Sequence, residues 1–385
     1  MKVLWVDLIS ELGGAQHSLL DACVALSSAG IEVSAAVPYG PLFDRLAAAG
    51  IPAFPVSPVR ARKRGWGLFM TTAKLLKAPS TVSQIARTVK PDIVHTNSLP
   101  AFLAASHVGT PTPVIWHVRD LKLPSLVARE AAKKATRIIA ASEAVDEFLV
   151  ETLSPRTLGR IRIIRNGIDV TGYEAPDKPA ARQRLGLPEG VPVIGMVAHL
   201  IPWKRHDAFI EAAAAIRRQR PDAHFVAVGR DLFHEHSRWV AQLEKQVSEA
   251  GLSGSFHWVR DCDDARTFLP AFDLLIHPAL HEPFGRVICE AMAMSMPVIA
   301  ATSAGPATII EPNVSGLLVR DGDPQRMADE ALALLAAPER AAAIGAAGRA
   351  RVLKHFTTRR VSEQLIKEYR ALLSSLETAA SSDDD

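Results

Sequence analysis

LLIHPALHEPFGRVICEAMAMSMPVIAA, residues 274–301, reads as strand, loop, helix and strand in one short span. Residues 274–277 form an unbroken apolar run closed by a histidine, as in a strand buried on both faces. Pro278 and Pro283 mark the following segment as a loop. Gly285 then precedes a helical stretch over 286–294, and 297–300 is strand-like again. Strand, helix, strand in that order implies parallel strands joined by a right-handed crossover.

The same alternation extends outward. Residues 3–6, 31–37, 91–95, 113–118 and 136–142 are strand-like, with helical stretches between them, such as 18–28 with Leu19, Leu20, Cys23 and Leu26. Composition changes over 173–192, where four prolines suit a linker with one short helix. Alternation then restarts, with strands expected at 193–198 and 224–228 and helices at 207–218 and 235–250. The expectation is an α/β protein of two doubly wound domains, residues 1–172 and 193–355, joined by the 173–192 linker. A terminal helix is expected at 356–376, where Val361, Leu365, Tyr369 and Leu372 recur every three or four residues, and a disordered tail at 377–385. Ligands of open α/β sheets bind at the carboxyl ends of the strands, so the binding site is expected in a cleft where two such sets of ends face each other.

Composition narrows the class. With 48% hydrophobic and 22% charged residues the chain reads as soluble and globular. No uncharged apolar run approaches about 20 residues, so no membrane span is expected, and the opening MKVLWV reads as a strand rather than a signal peptide. Cys23, Cys262 and Cys289 are odd in number and lack metal-type spacing, which points to a reducing, cytoplasmic setting. The net charge of +3 is uneven: residues 1–170 hold 20 Lys/Arg against 13 Asp/Glu. Such a basic half suits an anionic partner, the alternative being a solvated surface. Residues 57–77 concentrate the effect, mixing basic side chains with Trp66, Phe69, Leu75 and Leu76, which suits contact with an anionic membrane or packing of a basic helix on the first domain.

Several residues carry candidate chemistry. The free N–H groups at a helix start after Gly285 can hold an anion, most simply a phosphate. Glu282 and Glu290 would be repelled by that phosphate and are expected to face sugar hydroxyls. In the alternative, Glu282 caps the helix and Glu290 lies on the surface, but Ile288, Cys289 and Met292 crowd Glu290 with apolar neighbours. Gly13 and Gly14 follow the first strand, where a tight turn is commoner than a binding loop, and their placement at a strand end gives them weight. His117 ends another strand, and His95 and Asn97 lie at a third. No His, Asp or Cys cluster has convincing metal spacing.

HEPFGRVICEAMA resembles the Glu-x7-Glu signature of retaining glycosyltransferases of the GT-B fold, family 4, with its Phe-Gly pair and Glu-Ala-Met-Ala run. The resemblance spans nearly the whole chain. Gly13–Gln16 is similar to the family's glycine-rich first loop, and His117 to its acceptor-side histidine. Ser142 and the run Asn166, Gly167, Ile168, Asp169 resemble its S-E-x-V and N-G-I/V-D boxes, and Gly229 the glycine bordering the donor base. The resemblance implies two Rossmann-like domains facing across a cleft, with the terminal helix returning to the first. It implies transfer of a sugar with retention from a nucleotide-diphosphate sugar to a glycan, lipid or small-molecule acceptor in cell-surface polysaccharide or glycolipid synthesis.

Carried onto this sequence, Glu282 would bond the donor sugar and Glu290 the ribose. The N–H groups of Phe284, Gly285 and Arg286 would hold the diphosphate. Lys204 matches the diphosphate-binding lysine and would offset leaving-group charge without a metal or other cofactor. Gly13, Gly14, Asn97 and His117 would lie on the acceptor side or in the cleft loop. The partners implied are a nucleotide-sugar donor and a glycan or lipid-linked acceptor, not nucleic acid, with the protein cytoplasmic or peripheral on the inner face of the membrane. Two positions depart from the pattern. His199 stands where the family usually has an arginine, which is always charged and bidentate, so weaker or pH-dependent donor binding is expected. Thr308 stands where an acidic residue is usual, beside Gly305. The rival readings are another GT-B enzyme, such as a nucleotide-sugar epimerase or phosphorylase, and an idle sugar-nucleotide binder. A Rossmann dehydrogenase lacks its G-x-G-x-x-G here.

Overall fold

The computed structural model describes the chain except residues 60–65, 107, 109–111, 174–176, 261, 263 and 383–385, and except the side chains of 66–77, 265 and 379–382. The candidate membrane segment 57–77 therefore lies mostly outside the described residues. The helix over Trp66–Val89 is described there as backbone.

The chain divides into two units. The first comprises Met1–Asp169 and Thr358–Asp385. Its strands are β1 (Lys2–Val6), β2 (Glu32–Val37), β3 (Ala53–Pro55), β4 (Ile93–Thr96), β5 (Val114–Val118), β6 (Arg137–Ala140) and β7 (Ile161–Ile163). They form one parallel sheet in the order β3-β2-β1-β4-β5-β6-β7. Helices on both faces bury the central strands, which explains their unbroken apolar runs. The order reverses between β1 and β4, so the loops after those strands diverge and leave a crevice at their carboxyl ends.

The terminal helix packs on this unit. Val361, Leu365, Tyr369 and Leu372 join Val3, Trp5, Leu19, Cys23 and Leu26 in one core. It runs Thr358–Ser382, so residues 377–382, expected as a disordered tail, continue the helix. The first helix also begins earlier than its apolar spacing suggests, at Gly14 rather than near residue 18.

The second unit, Val170–Thr357, holds β8 (Val193–Val197), β9 (His224–Val228), β10 (Phe256–Val259), β11 (Leu274–His277), β12 (Val298–Ala301) and β13 (Leu317–Val319). They form a parallel sheet in the order β10-β9-β8-β11-β12-β13, with its reversal between β8 and β11. The segment expected as a linker is anchored here. Its short helix Lys178–Arg184 is capped by Asp177, and Arg182 pairs with Asp273 at 2.8 Å. Asp273 also accepts from the Val193 N–H at 2.7 Å, tying the helix to the start of β8. No single described helix is long and apolar enough to cross a membrane.

Candidate active site

In the second unit the reversal point is built from the loops after β8 and β11. Beyond β8, Ala198 and Leu200 donate their N–H groups to the carbonyls of Val228 and Arg230, which locks this loop to the one after β9. Gly229 makes that approach possible. Its φ is +149°, and a Cβ there would lie 1.9 Å from the Ala198 carbonyl oxygen. A turn over Pro202–Lys204 follows, and Arg205 in the left-handed region (φ 59°) starts the helix His206–Gln219. The turn sets the Lys204 ammonium 4.1 Å from the centre of the Trp203 ring.

Beyond β11 the loop carries Glu282, whose carboxylate is 7% exposed as a residue yet forms an ion pair with Lys204. The same oxygen, Oε2, accepts from His277 Nε2 at 3.0 Å. Burial pushes the Glu282 carboxyl up, but the Lys204 charge and the His277 hydrogen bond outweigh it and hold the group well below the usual carboxylate range. Glu282 is therefore a fixed anion with its hydrogen-bonding capacity partly used. It does not cap the following helix; Gly285 does, at φ 101°, and a Cβ there would meet Ile288 Cδ1 at 2.9 Å. Phe284 is buried against Phe356, their ring centroids 5.9 Å apart.

A second helix start closes on this loop. Gly305 donates its N–H to the Glu282 carbonyl at 2.8 Å, and a Cβ on Gly305 would lie 2.3 Å from the Phe284 carbonyl oxygen. Ser303 Oγ donates to the Ala279 carbonyl at 3.1 Å. Thr308 turns its hydroxyl back to the Gly305 carbonyl at 2.8 Å, inside its own helix.

Glu290 is also buried, 8% exposed, and accepts from Arg286 Nε at 2.8 Å one turn earlier. The surface alternative for Glu290 thus fails, and Arg286 has its guanidinium directed along the helix. His199 is pushed down to about 4 by burial, with Lys204 and Arg230 adding to it. It is neutral at physiological pH, where it offers a hydrogen bond but no charge.

The first unit has its own polar cluster, at the reversal between β1 and β4. Asp7, just past β1, is fully buried. It accepts from Gln16 Nε2 at 3.0 Å, Asn97 Nδ2 at 2.8 Å and the Leu8 N–H at 2.7 Å. Gln16 Oε1 in turn accepts from the Gly13 N–H at 3.2 Å, which fixes the glycine loop. Gly14 opens the helix, and a Cβ there would meet nothing within 4 Å. Asn97, placed by sequence on the acceptor side, spends its amide internally. Its Nδ2 bonds Asp7, and its Oδ1 accepts from Arg119 Nε at 2.7 Å. Arg119 also bonds Asn166 and stands 3.3 Å from His117 Nδ1. His117 is 1% exposed, and its Nε2 has no partner among the described residues.

Sequence reasoning passed over His277, Asp7 and Arg119. His277 was in plain view as the last residue of its strand. Asp7 follows the first strand and Arg119 the fifth, so the strand-end rule that selected His117 would have found all three.

Two family models divide the chain between them. One, described as Glycosyltransferase Family 4, matches residues 12–171, and the other, Glycosyl transferases group 1, matches 177–351. The chain belongs to the group 1 glycosyltransferases. The enzyme is 28% identical over 273 residues to an alpha-maltose-1-phosphate synthase of Mycolicibacterium smegmatis, covering 66% of this chain and 69% of that one. It is 26% identical to the lipopolysaccharide core mannosyltransferase LpsB of Rhizobium meliloti, covering 67% and 80%. The structure of Anabaena HepE in complex with UDP-glucose matches with a TM-score of 0.82 at 24% identity, over 96% of this chain and all of that one. The two Rossmann-like units of this glycosyl transfer enzyme are those of the GT-B fold.

Proposed function

We propose that this glycosyltransferase takes a sugar from a nucleoside-diphosphate sugar, binds the donor in its second unit, and transfers with retention. The observation that carries the reading is the Lys204–Glu282–His277 cluster at the reversal between β8 and β11, one turn ahead of a glycine-started helix. The N–H groups of Phe284, Gly285 and Arg286 would hold the diphosphate, and Lys204 would exchange part of its pairing with Glu282 for the leaving phosphate. Glu282, fixed as an anion, would accept from the sugar hydroxyls. Glu290 would take the ribose, Gly229 would border the base, and neutral His199 would donate one hydrogen bond to phosphate. His117, with Gly13 and Gly14, would serve the acceptor side, and Asn97, its amide spent on Asp7 and Arg119, would brace the loop behind them.

In the proposed step the bond from sugar C1 to the diphosphate oxygen breaks while the acceptor oxygen bonds C1 on the same face. The acceptor proton passes to the departing phosphate oxygen. No protein base, metal or other cofactor is required. A double displacement through Glu282 is disfavoured, because a carboxylate held by Lys204 and His277 with a depressed pKa is a weak nucleophile. A glycosyl adduct trapped on Glu282 would overturn this mechanism.

The acceptor class proposed is a glycan or lipid-linked glycan of cell-surface polysaccharide or glycolipid synthesis, in keeping with the lipopolysaccharide core relative. The setting proposed is the cytoplasm, with residues 57–77 against the inner membrane face; flotation with anionic liposomes, absent with neutral ones, tests this. The reaction is tested by turnover of a panel of UDP-, GDP- and ADP-sugars, headed by UDP-glucose, the ligand of HepE. Release of the nucleoside diphosphate with sugar transfer is expected. Interconversion of the donor, phosphorolysis, or binding without turnover would favour the rival readings.

A further inference from the structure

Within the first unit four side chains form an unbroken line from the terminal helix to the end of β5. Tyr369 OH lies 2.7 Å from His95 Nδ1, and His95 Nε2 lies 3.0 Å from His117 Nδ1. Arg119 Nη2 lies 3.3 Å from that same Nδ1. Tyr369 and His95 are fully buried and His117 nearly so, so water does not complete any of these bonds. Trp5 stacks on His95 with ring centroids 3.7 Å apart, which fixes the imidazole plane.

The directions of these bonds follow from valence. A guanidinium has only donors, so His117 Nδ1, facing Arg119, is an acceptor. His95 Nε2, facing the same lone pair, must therefore carry its proton toward His117. The neutral His95 ring then has a bare Nδ1, and the Tyr369 hydroxyl donates to it. His117 is left with its proton on Nε2, the nitrogen without a partner. Burial and the Arg119 charge hold both histidines well below their ordinary pKa, so neither ring takes a second proton.

We propose that Arg119 is a positioning residue: its guanidinium, facing Nδ1, holds His117 in the Nε2–H tautomer, so that the free nitrogen of His117 donates a hydrogen bond to the bound substrate and does not act as a base. This rests on the reading of His117 as a substrate-facing residue. It explains why Arg119, 8% exposed, is turned inward onto a histidine two residues away in sequence.

The test is two-bond 1H–15N correlation spectroscopy of the intact protein labelled with 15N-histidine, with signals assigned from His95→Gln and His117→Phe. In the wild type, Nδ1 of His117 is expected at the position of an unprotonated nitrogen and Nε2 at that of a protonated one, constant from pH 6 to 8. In Arg119→Met, which removes the guanidinium, the two signals are expected to move toward each other as the tautomers mix, because the Tyr369 hydroxyl can accept as well as donate; Tyr369→Phe, with Arg119 in place, is expected to leave them where they are. The kcat of Arg119→Met is expected to fall about tenfold with KM for the donor unchanged. A wild-type His117 protonated on Nδ1, or a tautomer unmoved by Arg119→Met, overturns the proposal, and the wild-type spectrum decides the first point even if the variant does not fold. If the tautomer is as stated but His117→Phe transfers sugar at the wild-type rate, the relay stands and the substrate-facing role of His117 falls.

Discussion

Lys204 Nζ and His277 Nε2 converge on one oxygen of Glu282, the histidine at 3.0 Å, at the point where the second sheet reverses its strand order. Removing one member leaves the others buried and uncompensated. Lys204→Met is expected to destabilise the protein by about 3 kcal/mol, because breaking a buried pair on one side strands the remaining charge. Glu282→Gln is expected to lower kcat by about 100-fold or more, as loss of a preorganised electrostatic contact does. Urea denaturation and steady-state kinetics check both, and a fully active, fully stable Glu282→Gln would remove this cluster from the site.

The pH behaviour of the cluster follows from its sign. The folded pKa of Glu282 is depressed, so its stabilising contribution is present above the unfolded carboxylate value and is lost only as pH falls through the folded one. Glu282 should therefore contribute no ionisation to the activity profile above pH 5. An acid limb of kcat/KM that disappears in Glu282→Gln would contradict this.

The glycines divide into two classes that substitution separates. Gly229 and Gly285 have φ of +149° and +101°, and a Cβ would collide with the Ala198 carbonyl or crowd Ile288. Alanine at either is expected to cost more than about 1 kcal/mol. Gly14 meets nothing and opens a helix, so Gly14→Ala is expected to leave stability unchanged or raise it by up to about 1 kcal/mol. If the first loop approaches substrate closely, the same variant lowers kcat/KM despite its stability. Wild-type kinetics from Gly14→Ala would return the loop to a simple helix start.

His199 illustrates what sequence leaves open. Its place in the motif is legible, but its protonation depends on burial and on Lys204 and Arg230, which are brought beside it only by the β8 and β9 loops. Pushed down to about 4, it stays neutral from pH 5.5 upward, so this residue is expected to give donor binding no pH dependence there, and weaker binding is what it predicts. Protein stability should fall as pH drops from 6.5 toward 4, since the unfolded chain binds that proton first. His199→Arg is expected to lower the donor KM about fivefold at pH 7.5, and an unchanged KM would mean that the fixed charge is not missed.

The alternation of strands and helices, the terminal helix and the Glu-x7-Glu segment were all readable, because apolar runs and helical spacing are local. The Asp7–Asn97–Arg119 network was not, since its bonded pairs lie 90 and 22 residues apart and meet only when β1, β4 and β5 pair. The same limit hid the engagement of Asn97 and the pairing of Lys204 with Glu282. The helix over 377–382 was missed because its composition is that of a tail, whereas the structure continues the helix through it.

Glu290 offers a separate test of the donor assignment. Its carboxylate is paired with Arg286 on the same helix at i,i+4, and such a pair contributes about 0.5 kcal/mol. Glu290→Gln should therefore change stability by less than about 1 kcal/mol. If Glu290 bonds the ribose in both ground and transition states, the variant raises donor KM about 10- to 100-fold with kcat nearly unchanged. A fall in kcat with KM constant would instead place Glu290 beside the reacting sugar, and no change in either would take Glu290 out of the donor site.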